Sequence, residues 1–570
     1  MDLDEKRRTI LSTSGHLLIE GGPGSGKTTI ALLLAQQFSA TLGVEQKILF
    51  LSFSRAAVRQ ITDRMRSTLD SGVRAQLEIR TFHAFFLDLV RAHSTQLTGV
   101  SAIFIAPDTE SQQRFDFDGD WKEHTDELAQ HGQFVFDRLA PTAATMLETG
   151  TALCQLYSSI YPLVIVDEFQ DTNIDQWRVV KALAEQSTVI CLADPDQRIY
   201  EGFVEGVDAE RLDHLRSTLT PKEFDLSGDN HRSPAAGILD YANAILVADT
   251  TQTEPPSVQT FYYSGVKELS WMTHHATAYL DERLRSTLGY PPTIAVLATG
   301  NYTVTEISQQ LSSETETPRG SLLPPIDHHL DFEREAVAAS GCVVASILEW
   351  PTMTQTASVL HTLEHLINYY RTIGSNSART KAAVLKKARV AITDGTTVRS
   401  KAARTLIAAY AHGLQFVGDP VIDWGRARNV LAGAAELDDV AGKVRHLRLL
   451  SATDDLGWAL LTAWDGQNGY SDAAPVVRQT LAERLLDDSR THQPRISLMN
   501  MYRAKGKEFD GVIIAEGRYR DKLLDKEADF APRSARRRLL RVGFTRARHQ
   551  IILLRPRPGI SLMSTAPPPI

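Results

Sequence analysis

Short, unbroken apolar runs set the rhythm of this chain. Leu17-Leu18-Ile19 sits in His16–Glu20, Ile48-Leu49-Phe50-Leu51 in Lys47–Ser54, and further runs follow at Leu163–Val166 and Thr188–Leu192. Runs of this kind suit strands buried on both faces, as in a parallel sheet. Leu77–Arg80 reads as one more strand, while Ile30–Leu34 and Arg55–Arg66 have helical character. The alternation predicts a doubly wound parallel sheet in an α/β domain, with ligand chemistry at the carboxyl ends of the strands. A second set of strands, at Thr293–Leu297, Gly511–Ala515 and Ile551–Leu554, predicts a second α/β region. Between its first two strands, residues 316–490 are Ala/Leu/Arg-rich and predict an inserted, mainly helical domain. Residues from about 91 to 150 lose periodicity, carry the polar stretch Phe115–Asp120, and read as an insertion between strands.

These elements divide the chain into a first domain at 1–215 holding the 91–150 insertion, a second at 216–315 with 491–560, the helical insert, and a disordered tail at 561–570. A length of 570 residues exceeds one hydrophobic core, in line with that division. Apolar residues at 43% and charged residues at 23% are ordinary for globular domains. No apolar run approaches the roughly 18 residues that a membrane span needs. The acidic start Met1-Asp2-Leu3-Asp4-Glu5 does not resemble a signal peptide, so a cytoplasmic location is expected. Cys154, Cys191 and Cys342 show no paired spacing, which excludes a disulfide framework. A net charge of −8 excludes a wholly basic surface, so any nucleic-acid site is a local groove. The basic stretch Arg379–Arg404 fits a solvated helical face as well as it fits a DNA contact. The histidine pairs at 274–275 and 328–329 lack partners at metal-ligand spacing.

Chemistry concentrates at the strand ends. Gly21–Thr29 has the spacing G-x-x-x-x-G-K-T between an apolar run and a Leu/Ala-rich helix. Such a P-loop wraps a polyphosphate in backbone N–H groups at a helix N-terminus, with Gly22, Gly24, Ser25, Gly26 and Thr29 in the cradle. Lys27 reaches the β- and γ-phosphates and Thr28 can hold Mg²⁺. After the next motif-bearing strand, Asp167 can hold Mg²⁺ and Glu168 can deprotonate an attacking water. In Ala193–Tyr200, the Gln197 amide can sense a γ-phosphate. Arginine motifs at Asp229–Pro234 and Gly543–Arg548 can supply finger-type arginines. Aromatic and hydroxyl residues, among them Thr81, Phe82, His83, Tyr200 and Phe203, can stack bases or bind the backbone of a single strand.

The motifs GGPGSGKT, SFSRAA, TFHAF, VDEFQD, ADPDQRIY, NHRS, YRAKGKEFD and VGFTRAR, in that order, resemble superfamily 1 helicases of the UvrD/Rep/PcrA type. The resemblance covers about 1–90, 150–310 and 491–555. It implies two RecA-like motor domains with ATP and Mg²⁺ in the cleft between them, and ATP-driven movement on single-stranded DNA, typically 3′ to 5′, with unwinding at single-strand/duplex junctions. It implies that Arg232 and Arg546 reach the γ-phosphate, that Glu508 lines the nucleotide site, and that Ser54, Arg55, Thr81, Phe82 and His83 touch the strand. Its pathways are repair, recombination or defence, and a partner nuclease or other subunit is compatible with it. An alternative is a nucleotide- and DNA-regulated switch gating such a partner without processive unwinding. Four departures stand out: Arg7 replaces the family's adenine-reading glutamine, Tyr502 a histidine, Arg541 a tyrosine, and Glu201-Gly202-Phe203-Val204 the aromatic and arginine that usually follow Tyr200.

Overall fold

A computed structural model describes residues 4–105, 110, 113–114, 117, 119–199, 206–207, 210–228, 237–316, 320, 322–330, 334–373, 376–444, 449–487 and 495–567. The chain divides into two compact units, one formed by 1–103, 129–331 and 494–570, the other by 104–128 and 332–493.

The first unit contains two six-stranded sheets. The first takes β1 (Leu17–Glu20), β2 (Ile48–Ser52), β3 (Leu77–Thr81), β4 (Leu163–Val166), β5 (Thr188–Ala193) and β6 (Lys222–Asp225), in the spatial order β3-β2-β4-β5-β1-β6. Every pairing in it is parallel, with Leu17 opposite both Ile190 and Lys222. The apolar runs are its central strands, and Leu163 to Val166 are at most 1% exposed. Parallel strands covered by helices on both faces leave no polar side, which is why these segments lack alternation. The second sheet takes β7 (Val258–Tyr263), β8 (Ile294–Ala298), β9 (His329–Leu330), β10 (Ile496–Asn500), β11 (Phe509–Ala515) and β12 (Ala547–Pro556), ordered β9-β10-β8-β11-β12-β7 and again parallel. The α/β class with two parallel sheets is therefore as expected from the sequence.

Several boundaries move. The first sheet acquires β6 from beyond the limit expected at 215, because Lys222–Asp225 pairs with the P-loop strand. The helical unit starts later than 316, since His329 and Leu330 pair with Ser497 and Leu498 in the second sheet. The 91–150 region lies between β3 and β4, as an insertion between strands should, and it carries helices. It holds the end of the helix Phe82–Thr98 and the helices Trp121–Gln130 and Leu139–Thr149, and residues 104–128 group with the helical unit. The tail expected to be disordered from 561 is ordered through 567, with Leu562 and Met563 buried. Residues 568–570 lie outside the described residues.

The second unit is helical, from Arg334–Leu348 to Ala473–Asp487. Its core gathers Trp350, Tyr369, Tyr370, Trp424 and Tyr470, each at most 2% exposed. The polar ends of Trp350, Tyr369, Tyr370 and Tyr470 are satisfied, as buried polar groups must be. Trp350 Nε1 donates to Thr362 Oγ1 at 2.9 Å, and the Tyr470 hydroxyl donates to Asp423 Oδ2 at 2.8 Å. Part of the basic stretch is balanced within the unit, where Lys381 pairs with Asp439 and Arg389 with Glu364. Among the described residues, no helix is long and apolar enough to cross a membrane.

Candidate active site

Backbone geometry at the end of β1 prepares an anion site. Gly24 and Gly26 adopt φ of 80° and 90°, in the left-handed region where a side chain is strained. Gly26 caps the helix Lys27–Ser39 without a side-chain hydrogen bond, so the first amides of that helix stay available to a ligand. Lys27 Nζ donates to the carbonyl oxygens of Gly21 at 2.5 Å and Gly22 at 3.2 Å, folded back along the loop. Burial pushes its ammonium pKa down, against the pull of Asp194, Glu168 and Asp167. The buried hydroxyl of Ser25 has no hydrogen-bond partner. A loop with spare amides, an orphaned hydroxyl and a desolvated cation fits a polyphosphate.

The acidic motif follows β4 directly. Asp167 and Glu168 are half-buried, and Glu168 holds φ 51° and ψ 39°, left-handed for a residue with a side chain. Strain of this kind gathers at functional sites, where the surrounding structure enforces it. Burial and the neighbouring Glu168 raise Asp167 to about 7. Burial also acts on Glu168, yet Lys505, Lys27 and a 2.6 Å hydrogen bond from Gln170 outweigh it and hold the carboxyl below its ordinary range. Glu168 is thus an ionised carboxylate, able to accept a proton. Thr28 and Asp167 line the same cleft, and their hydroxyl and carboxylate oxygens are donors suited to Mg²⁺.

Across the cleft stands the second sheet. Lys505, before β11, pairs with Asp171 and donates to the Gln197 carbonyl at 2.8 Å. Arg546 Nη2 donates to Gln197 Oε1 at 3.2 Å, and Gln197 Nε2 donates to Asp194 Oδ2 at 2.7 Å. Glu508 accepts from Arg64 and from Arg548, each at 3.0 Å. The resulting cleft is lined by Gly22, Gly24, Ser25, Gly26, Lys27, Thr28, Asp167, Glu168, Gln197, Glu508 and Arg546. Thr29, expected in the cradle, does not line it. Arg232 lies outside the described residues.

A family model described as an AAA domain matches residues 7–203. The chain is 24% identical over 315 residues to the ATP-dependent DNA helicase PcrA of Bacillus subtilis, covering 46% of this chain and 41% of that protein. It is 26% identical over 297 residues to the DNA helicase II of Haemophilus influenzae, covering 43% and 40%. The match thus spans about two fifths of the length of these curated relatives. The chain is thus similar to DNA helicases of the UvrD/Rep/PcrA type.

Within that family's pattern, the residues expected to touch DNA divide. Ser54 and Thr81 spend their hydroxyls as helix N-caps, accepting from the amides of Ala57 and Ala84. His83 is half-buried, kept neutral chiefly by burial, and stacked on Phe136 at 4.3 Å. Phe82 departs from the expectation: it is 1% exposed and packs against Phe53 and Phe86, so its ring is core and offers no face to a base. Tyr200 and Phe203 lie outside the described residues, as does the Arg55 side chain.

Motif reading missed part of the constellation. Arg64 reaches the cleft from the helix Arg55–Thr68, and no motif marks it. Asp171 and Lys505 form a buried pair across the cleft, each visible in its own motif but not as partners. Arg7 is buried, pairs with Asp4, and donates to the Ser25 carbonyl at 2.9 Å, so the residue replacing the family's glutamine braces the P-loop.

Proposed function

We propose that this chain is an ATP-dependent DNA helicase or translocase, moving on single-stranded DNA from 3′ to 5′ and unwinding at single-strand/duplex junctions. The observation that carries the reading is a cleft in which the P-loop and Glu168 of one sheet face Arg546 and Glu508 of the other. ATP fits with its phosphates on the amides of Gly24 to Thr28 and on Lys27. Thr28 and Asp167 would hold Mg²⁺, which shields the phosphate charge. Glu168 takes the proton from the attacking water. Arg546 stabilises charge on the γ-phosphoryl group, with Arg232 as its second arginine. Gln197, held between Asp194 and Arg546, registers whether that group is present.

Bound triphosphate joins the two sheets through opposite charge, and loss of the γ-phosphate removes the tie. Alternating grip on a strand then becomes directed motion. Ser54, Arg55, Thr81, His83, Tyr200 and Phe203 are the contacts proposed for the strand. The work belongs to repair, recombination or defence, alone or with a nuclease subunit, in the cytoplasm. Strand displacement on substrates with a 3′ or a 5′ overhang tests the reading. Displacement from the 3′ overhang with DNA-stimulated ATP turnover is expected. Turnover without displacement would leave a translocase or a switch, and no turnover with DNA would end the motor reading.

A further inference from the structure

Arg541 stands where the family has a tyrosine, and no part of the proposed chemistry uses it. It lies on the helix Ala535–Phe544 of the second sheet, 3% exposed. Its Nη1 donates to both carboxylate oxygens of Asp194, at 3.2 and 3.4 Å, and its Nε donates to Asn243 Oδ1 at 2.8 Å. Its Nη2 would sit 3.5 Å from a Cβ placed on Gly22, at the mouth of the P-loop. Asp194, also 3% exposed, closes β5 of the first sheet. The pair is thus a buried ion pair between the two motor sheets, and burial makes each charge depend on its partner.

The bond pattern gives the pair a consequence. Asp194 Oδ2 accepts from Gln197 Nε2 as well as from Arg541. A carboxylate can only accept, so it fixes which way the Gln197 amide faces. The amide oxygen is then turned to Arg546, whose guanidinium can only donate. We propose that Arg541 is a positioning residue for nucleotide turnover: it clamps Asp194, Asp194 orients the Gln197 amide, and Gln197 meets Arg546. A tyrosine has no cation to offer Asp194, so this relay is particular to chains with arginine here. The inference rests on the reading of the cleft as an ATP-hydrolysing site.

Arg541→Gln, Arg541→Lys, Asp194→Asn and the double variant R541Q/D194N test it, each first shown to melt as cooperatively as wild type. In R541Q, kcat for DNA-stimulated ATP hydrolysis is expected to fall on the order of 10- to 100-fold while KM changes less than about threefold. R541K should recover part of the loss. The double variant should be no slower than the slower single, because one relay is broken twice. Binding supplies a readout without turnover: preference for ATPγS over ADP should shrink in R541Q, as Gln197 no longer registers the terminal phosphate. A kcat within about twofold of wild type in R541Q, an unchanged ATPγS/ADP preference, or multiplied losses in the double variant would overturn the relay. A wild-type protein that binds neither nucleotide overturns the proposed function and this inference with it; turnover in wild type with an unaffected R541Q overturns the inference alone.

Discussion

At the scale of the residue, environment assigns the cleft carboxylates different tasks. Asp167 and Glu168 are neighbours, yet burial raises the first while Lys505, Lys27 and Gln170 keep the second ionised. An ionised carboxylate such as Glu168 can serve as a base. Glu168→Gln keeps the shape and the Gln170 contact but cannot take a proton, so turnover is expected to drop about 100-fold or more with nucleotide affinity largely kept. Single-turnover hydrolysis beside fluorescent-nucleotide binding measures both. A second residue-scale effect lies in the helical unit. His365 is pushed down to about 3, first by burial and then by His361 and Arg478, while His361 Nε2 lies 2.7 Å from a carboxylate oxygen of buried Glu349. Its folded pKa is below its unfolded one, so between pH 6.5 and 3 the unfolded chain binds a proton that the folded chain refuses. Stability from this group is present above pH 6.5 and is lost as pH falls through that window, by about 1.4 kcal/mol per pH unit at most. His365→Leu should flatten that loss, so its stability relative to wild type, from urea unfolding, should improve between pH 7.5 and 5.5.

At the scale of the element, one helix organises the second sheet. Ala535–Phe544 carries Arg537, 0% exposed, whose guanidinium donates to the carbonyl oxygens of Ile245, Phe530, Leu562 and Ser564. Four backbone acceptors from three directions make it the tie between this helix, the helix Ile238–Val247 and the tail. Its removal leaves those carbonyls without their donor in a dry environment. Arg537→Ala is expected to cost about 3 kcal/mol. Deleting residues 561–570 removes two of the acceptors and buried Leu562 and Met563, and should also lower the melting temperature. Thermal melts of both variants check this, and a tail deletion that melts like wild type would contradict the role given to 562–564. The same helix carries Arg541 toward the cleft, so loosening it should weaken turnover as well.

At the scale of the whole chain, the nucleotide proposed for the cleft would couple the two sheets that line it. A nucleotide that binds the folded state at 100 times its Kd adds about 2.7 kcal/mol of stability. ATPγS should therefore raise the melting temperature of wild type and Glu168→Gln but not of Lys27→Ala, which lacks the phosphate cation. Equal shifts in all three would place the nucleotide elsewhere. DNA binding should weaken steeply with salt, because the net charge of −8 confines attraction to a groove and phosphate contacts release counterions. An affinity flat between 50 and 200 mM salt would argue against a phosphate-tracking groove.

The chain's own order of residues determined the contiguous parts of this picture. Apolar runs dictated the central strands, since a strand buried on both faces has no choice of side chain. The P-loop, Asp167-Glu168 and the arginine-rich motif could be read because each lies within a few residues of a strand end. Some edge strands escaped: Lys222–Asp225 is polar and mostly exposed, so only its pairing with β1 reveals it. What the tertiary structure alone decided are the relations between motifs far apart in sequence. Lys505 with Asp171, Glu508 with Arg64, and Arg541 with Asp194 are separated by hundreds of residues and carry no local signature. It also decided that Phe82 is core, because which face of a helix meets a wall depends on the wall. Sequence carries local preference and pattern; partnership across a cleft exists only once two sheets have folded and brought opposite charges into a place that water has left.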